Sequence, residues 1–244
     1  MKKPCLTVIS VMAFTCFMGG SAHATPSSQI RIPSTDVQPV GTINLGVDNY
    51  TTVFKQPKDG GHSLPVDIGA TLGVLETSFF HAELGVDLKE ATDDPIFFNA
   101  KLGMKEDSLG KYFPAIAIGG YDFGTKPDTT AFNIMYLEMA KTMSSVGRFT
   151  VGYYAGNDKF LKDVKLKKEK DGFLFSFDRT IAEISEKLWF AVDYMSGNNL
   201  YGGVSAGVSW KFSPKINALL GYTTYNERKV AGEDTVTIQF NMDF

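Results

Sequence analysis

The stretch Thr235-Val236-Thr237-Ile238-Gln239-Phe240-Asn241-Met242-Asp243-Phe244 alternates without a break. Val236, Ile238, Phe240, Met242 and Phe244 share one face, and Thr235, Thr237, Gln239, Asn241 and Asp243 share the other. A repeat of two belongs to an extended strand, because successive side chains leave a pleated backbone on opposite sides. One face is apolar throughout and the other polar throughout, so the strand divides an oily medium from a watery one.

The same repeat recurs upstream as far as Gly41. Ile43, Leu45 and Val47 alternate with Asn44, Gly46 and Asp48. Leu64, Val66, Ile68, Ala70, Leu72 and Val74 face away from Asp67, Gly69, Thr71 and Gly73, and this run is long enough to cross a hydrocarbon layer, which takes about 9–11 tilted strand residues. Phe80, Ala82, Leu84, Val86 and Leu88 oppose His81, Glu83, Asp87 and Lys89, a charged face that must meet water. Further strands follow around Phe98, Phe149, Phe175, Phe190, Val208 and Leu220. Those near Ile116 and Ile134 are less tidy and predict a bulge or a partly filled interior. The Asp171-Gly172 pair reads as a hairpin turn at the end of the lysine-rich connection 157–172.

Twelve strands result, joined alternately by short turns and longer loops. A C-terminal strand of this pattern ending on Phe244 resembles that of bacterial outer-membrane β-barrels of the porin-like class. The resemblance implies an all-β fold: a transmembrane antiparallel up-and-down β-barrel of about twelve strands in a Gram-negative outer membrane. It also implies that Phe244 is the membrane-insertion signal read by the barrel-insertion machinery, and that outer-membrane lipid and lipopolysaccharide surround the barrel. With the termini in the periplasm, every short turn falls on that side. Aromatic girdles are expected from Phe80, Phe149, Trp210 and Phe244 at the periplasmic edge and from Tyr50, Phe98, Phe173, Tyr194 and Tyr222 at the outer edge. A soluble β-sandwich would also show alternating strands, but it accounts for neither the terminal Phe nor the alternation of turns and loops.

Residues 1–24 read as a secretory signal peptide: Lys2 and Lys3, an apolar stretch from Leu6 to Gly19, and the small-x-small site Ala22-His23-Ala24. Both Cys5 and Cys16 fall inside it, so the exported chain carries neither thiol nor disulfide. Residues 25–39 hold Pro26, Pro33 and Pro39 and form an extended N-terminal segment, read as a periplasmic tail ahead of a luminal plug. Residues 40–244 form the barrel. Lys and Arg number 24 against 27 Asp and Glu, a net charge of −3 that leaves no basic footprint for nucleic acid.

Function is sought on the inward face. Asp67, His81, Glu83, Asp87, Lys101, Arg148, Asp178, Asp193, Tyr201 and Lys211 are expected to line the pore, both signs of charge pairing across it. Gly46, Gly69 and Gly73 lie among them and leave room for water or a small solute. No cofactor is implied, and no Cys or His cluster suggests a metal. The reading is a narrow porin-like channel for small hydrophilic solutes or ions. The alternatives are a non-conducting barrel that acts through its extracellular loops and a lipid hydrolase using His81 with Glu83 and a serine such as Ser205.

Overall fold

The computed structural model describes residues 27–53, 55, 66–89, 93–144 and 146–244. The signal peptide, His62 and the first residues assigned to the second strand, 63–65, lie outside them. Among the described residues the chain forms twelve strands: β1 (Ile43–Thr52), β2 (Val66–Glu76), β3 (Phe80–Lys89), β4 (Ile96–Met104), β5 (Ala115–Gly124), β6 (Ala131–Met143), β7 (Gly147–Ala155), β8 (Asp171–Thr180), β9 (Leu188–Met195), β10 (Gly203–Ser213), β11 (Ile216–Tyr225) and β12 (Thr235–Asp243). One short helix, α1 (Arg228–Ala231), lies between β11 and β12.

Each strand pairs antiparallel with its sequence neighbours, and β1 pairs with β12, so the sheet closes on itself. Closure leaves no unpaired strand edge, the one way a sheet satisfies its backbone groups inside lipid. At the seam the Phe244 N–H donates to the Ile43 carbonyl, at 2.9 Å. A sandwich of two open sheets is thereby excluded.

The outward face is apolar all round. Leu45, Leu84, Phe98, Leu137, Val151, Phe175, Leu220 and Ile238 are all exposed there, whereas Thr150, Ser176, Ser205, Thr223, Thr237 and Gln239 point inward and are buried. This inversion of the soluble pattern is what a lipid surround requires. The aromatics assigned to the girdles follow it, except Tyr50. It shares the parity of Asn44, Gly46 and Asp48 and therefore faces the lumen, where its hydroxyl meets Gln239 Nε2 at 3.3 Å.

The untidy region contains both features expected of it. The register shifts between Phe98 and Ala100 and between Tyr121 and Phe123, with Asp122 in the left-handed region at φ 58°. Inward Ile134, Tyr136, Tyr154, Leu161, Leu174 and Met195 form an apolar cluster. The Asp171-Gly172 turn is corrected. Those two residues are paired in β8 with Ala155 and Tyr154, and the chain reverses instead at 163–167, where the Asp163 carboxylate accepts from the N–H groups of Lys165 and Lys167. An aspartate side chain that caps its own turn does the work that a following glycine does elsewhere.

Among the described residues, the connections 77–79, 105–114, 181–187 and 214–215 lie at the end of the barrel that carries the C-terminus, and 93–95, 125–130, 156–170, 196–202 and 226–234 lie at the other. Short turns gather at the first end, as expected of the periplasmic side, but not every connection there is short: 105–114 is longer than 125–130 opposite it.

Candidate functional site

Residues 27–39 do not hang below the barrel as a tail. They enter it as a tight hairpin, with Ser28 bridged to Pro33 and the Gln29 N–H donating to the Ile32 carbonyl at 2.9 Å. At its tip Ile32 joins the apolar cluster just described, and Ile30 packs with Trp189, Ala191 and Leu219 in a second one. Burying each isoleucine contributes about 1.5–3 kcal/mol.

Polar contacts tie residues 27–39 to strands on two opposite sides of the barrel. The Asp193 carboxylate, on β9, accepts through Oδ2 from the N–H groups of Ile30, Arg31 and Ile32 at 2.9, 2.8 and 3.3 Å. Asp178, on β8, accepts from Gln29 Nε2 and Arg148 Nε, both at 3.0 Å, and from Trp189 Nε1 at 3.1 Å. Arg148 also reaches Asp36 of the segment itself, at 2.6 Å. On the opposite wall Glu83 accepts from the Gln38 N–H at 2.7 Å and pairs with Lys101 at 3.2 Å, while Lys101 Nζ donates to the carbonyls of Ser27 and Asp36. Buried carboxylates are tolerated only with partners of this kind. The sequence conceals the segment's partners because they lie far along the chain, from 45 residues between Gln38 and Glu83 to 163 between Ile30 and Asp193.

The hairpin sits against the β7–β11 wall and leaves a cavity of about 510 Å³ along β1–β5, reaching Leu200, Tyr225 and Ala231 at the loop end. Here Lys89 Nζ lies between Asp122 Oδ1, at 2.5 Å, and Asp67 Oδ2, at 3.5 Å. The Tyr201 hydroxyl donates to the other oxygen of Asp122, at 2.5 Å. Asn99 Nδ2 donates to Asp87 at 2.8 Å, and the Arg31 guanidinium stacks on Tyr225 at 4.7 Å. The lumen is therefore filled by the hairpin on one side and open and lined with polar groups on the other.

The expected pore-lining residues separate into three places. Asp67, Glu83, Asp87, Lys101 and Tyr201 border the cavity. Arg148, Asp178 and Asp193 are engaged by the hairpin or by its neighbours. His81 and Lys211 sit near the short-turn end, His81 against Glu76 at 3.6 Å and Lys211 at the bulge of β10. The hydrolase constellation is not assembled: Glu83 is held by Gln38 and Lys101, and Ser205 Oγ pairs with Thr223 Oγ1 at 3.0 Å. Sequence reasoning passed over Arg31, Asp36, Asp122 and Trp189. Parity alone would have found Trp189, whereas Asp122 needs the bulge and Arg31 and Asp36 need the hairpin.

No protein-family model matches this chain, and no curated protein matches it. Solved structures do. The NanC porin aligns with a TM-score of 0.51 at 8% identity, covering 83% of this chain and 98% of that one. The COG4313 outer membrane channel from Pseudomonas putida F1 aligns at 0.52 and 10% identity, covering 85% and 97%. The KdgM porin aligns at 0.51 and 10% identity, covering 83% and 99%. At such identities the likeness is one of fold. The chain shares the barrel fold of these outer-membrane porins, as a closed, antiparallel sheet of twelve strands.

Proposed function

We propose that this barrel is a narrow channel for small hydrophilic solutes or ions, exported by a cleaved signal peptide and narrowed by its own N-terminal hairpin. The observation that carries this reading is the polar cavity of about 510 Å³ running beside the hairpin inside a closed barrel. Charged and amide side chains along that wall substitute for the hydration of a passing solute, as polar pore linings do. Asp67, Glu83, Asp87, Lys101 and Tyr201 are the residues assigned to the passage, and Arg148, Asp178 and Asp193 set its width by holding the hairpin. Phe244, exposed at the seam, is assigned to recognition by the insertion machinery.

Planar-bilayer recording tests the reading. The mature protein should give small discrete conductance steps, and a chain lacking 27–39 larger ones. Absence of steps from both proteins overturns the channel.

A second reading, a non-conducting barrel that works through its loops, is favoured by one observation. The 156–170 loop is anchored by buried Leu161 and presents exposed Val164 and Leu166 beside Lys165 and Lys167. A tip of that composition suits the acyl and phosphate groups of lipopolysaccharide. The same recordings separate the two readings, since the second predicts silence from the intact protein.

A further inference from the structure

We infer that residues 35–39, the limb by which the hairpin returns to β1, form a gate: a strap that closes the cavity toward the short-turn end of the barrel and is poised to lift. The gate rests on the channel reading for its use, but the motion of the strap is measurable without conduction.

The contacts of the strap fix its path. Asp36 meets Arg148 on β7 through its carboxylate and Lys101 on β4 through its carbonyl, at 2.6 Å in each case. The Gln38 N–H donates to Glu83 on β3, and Val40 bridges Gly73 on β2. The chain thus crosses the lumen from β7 to β2. The cavity lies on the loop side of this crossing. On the β3–β4 wall it ends at Glu83 and Lys101, and among the described residues that border it none belongs to a short-turn connection, whereas Leu200 and Ala231 border it from loops at the other end. A solute that enters from the loops meets the strap before it reaches the short turns.

The strap lies on bare backbone. A Cβ at Gly73 would overlap the Pro39 carbonyl, and one at Gly103 would come within 2.6 Å of Val37 Cγ2. Two glycines in the wall therefore form its seat, each at a point where another backbone or side chain comes too close for a side chain of its own. Gly41, at φ 77° between the strap and β1, supplies a turn about which it can pivot.

The seat is close in shape but incomplete in hydrogen bonds. Thr35, Gln38 and Glu138 are 3%, 1% and 0% exposed. Yet Thr35 Oγ1, both polar side-chain atoms of Gln38 and both carboxylate oxygens of Glu138 have no partner among the described residues. Glu138 lies in the path of the strap, since register runs from Gly103 through Ala117 to Glu138 and Asp36 reaches across β5 and β6 from β4 to β7. A buried polar group without a partner costs free energy that water returns once the site opens, most of all for a carboxylate. The contacts of Arg148, Lys101 and Glu83 hold the strap down, and the unpartnered groups beneath and along it favour its release. Opposed terms of this kind make a strap that opens and recloses.

Thiol labelling reads the motion. Cys5 and Cys16 are the only cysteines and precede Thr25, so Gln38→Cys in a chain begun at Thr25 carries a single thiol. In detergent micelles a water-soluble maleimide should label it to completion, but at least about tenfold more slowly than Tyr112→Cys, which stands exposed in the 105–114 connection. Glu138→Leu, which removes the unpartnered carboxylate, should slow the labelling of Gln38→Cys about tenfold further. Heat-dependent gel mobility reports whether each variant has folded. Labelling of Gln38→Cys as fast as that of Tyr112→Cys, no labelling at all, or a rate unchanged by a folded Glu138→Leu overturns the inference. A second pair of substitutions decides the matter should Glu138→Leu fail to fold. Val37→Cys with Gly103→Cys places two thiols within disulfide reach. In planar bilayers the oxidised pair should hold the current at its lowest level, and a reductant should restore the steps. Steps indifferent to a bridge verified by mass sink the gate alone. Silence from the reduced pair and from a chain lacking 27–39, with labelling that still responds to Glu138→Leu, sinks the channel alone.

Discussion

At the hairpin tip one carboxylate oxygen of Asp193 accepts three consecutive backbone N–H groups. Converging amides of this kind form an anion cradle, occupied here by a side chain of the same molecule. Asp193→Ala leaves those buried donors without an acceptor, at about 1–3 kcal/mol for each one stranded. The expected outcome is rapid proteolysis within 27–39 from a barrel that still shows heat-dependent gel mobility. Arg148 has a comparable role at the base, where its two carboxylate partners, Asp36 and Asp178, come from the hairpin and the wall. Arg148→Met leaves the buried Asp178 the hydrogen bonds of Gln29 and Trp189 but no counter-charge, and urea titration should show a loss of about 3–5 kcal/mol, the cost usual for breaking one side of a buried pair.

At the scale of elements, the hairpin and the barrel are separable. Every strand pairs with two others and the ladder closes without residues 27–39, so their deletion should leave a folded barrel with a wider bore. Equal conductance with and without them would remove the hairpin from the proposed constriction. The 105–114 connection is pinned differently. Partial burial of Glu106 works against its charge, but hydrogen bonds from Lys141 and Thr142 outweigh it and hold the carboxyl below its ordinary value of 4.5. A depressed carboxylate stabilises the fold fully above that ordinary value and ceases to as pH falls through the lower, folded one. Protease protection of 105–114 should therefore persist from neutral pH to about 5 and fall away on further acidification. Glu106→Gln should remove that dependence. The lysine-rich connection is tied down by Leu161, fully buried in the cluster of Ile32 and Tyr154, and by Phe160, which packs against it.

At the scale of the whole molecule, the solvent is inverted: apolar side chains are displayed and polar ones enclosed. Leu84, 54% exposed near the middle of β3, is a direct probe. Leu84→Arg should cost about 2–4 kcal/mol if that surface meets the centre of a bilayer. Equilibrium folding into lipid vesicles reads the difference, and a neutral effect would contradict a lipid surround. The closed ladder also explains why likeness to the NanC and KdgM porins survives at 8% and 10% identity. Such a barrel asks only for alternation and closure, and many sequences supply both.

Alternation by itself determined the strands and their outward faces, because period-two patterning is local, and the resemblance of the C-terminal strand supplied the expectation that they close into a barrel. Alternation also located Asp67, Glu83, Asp87 and Asp193 on the inner face by the same rule. Parity was misread at Tyr50, and the Asp171-Gly172 turn was misplaced because a strand can hold those residues as readily as a turn. Only the tertiary structure decided what fills the lumen. Residues 27–39 look like a polar, proline-bearing tail, since their two isoleucines are too few to signal burial and their amide partners lie on strands distant in the chain. Long-range acceptors such as Asp193 and Asp178 turn that tail into a wedge, and its position against one wall leaves the acid-rich recess along the other.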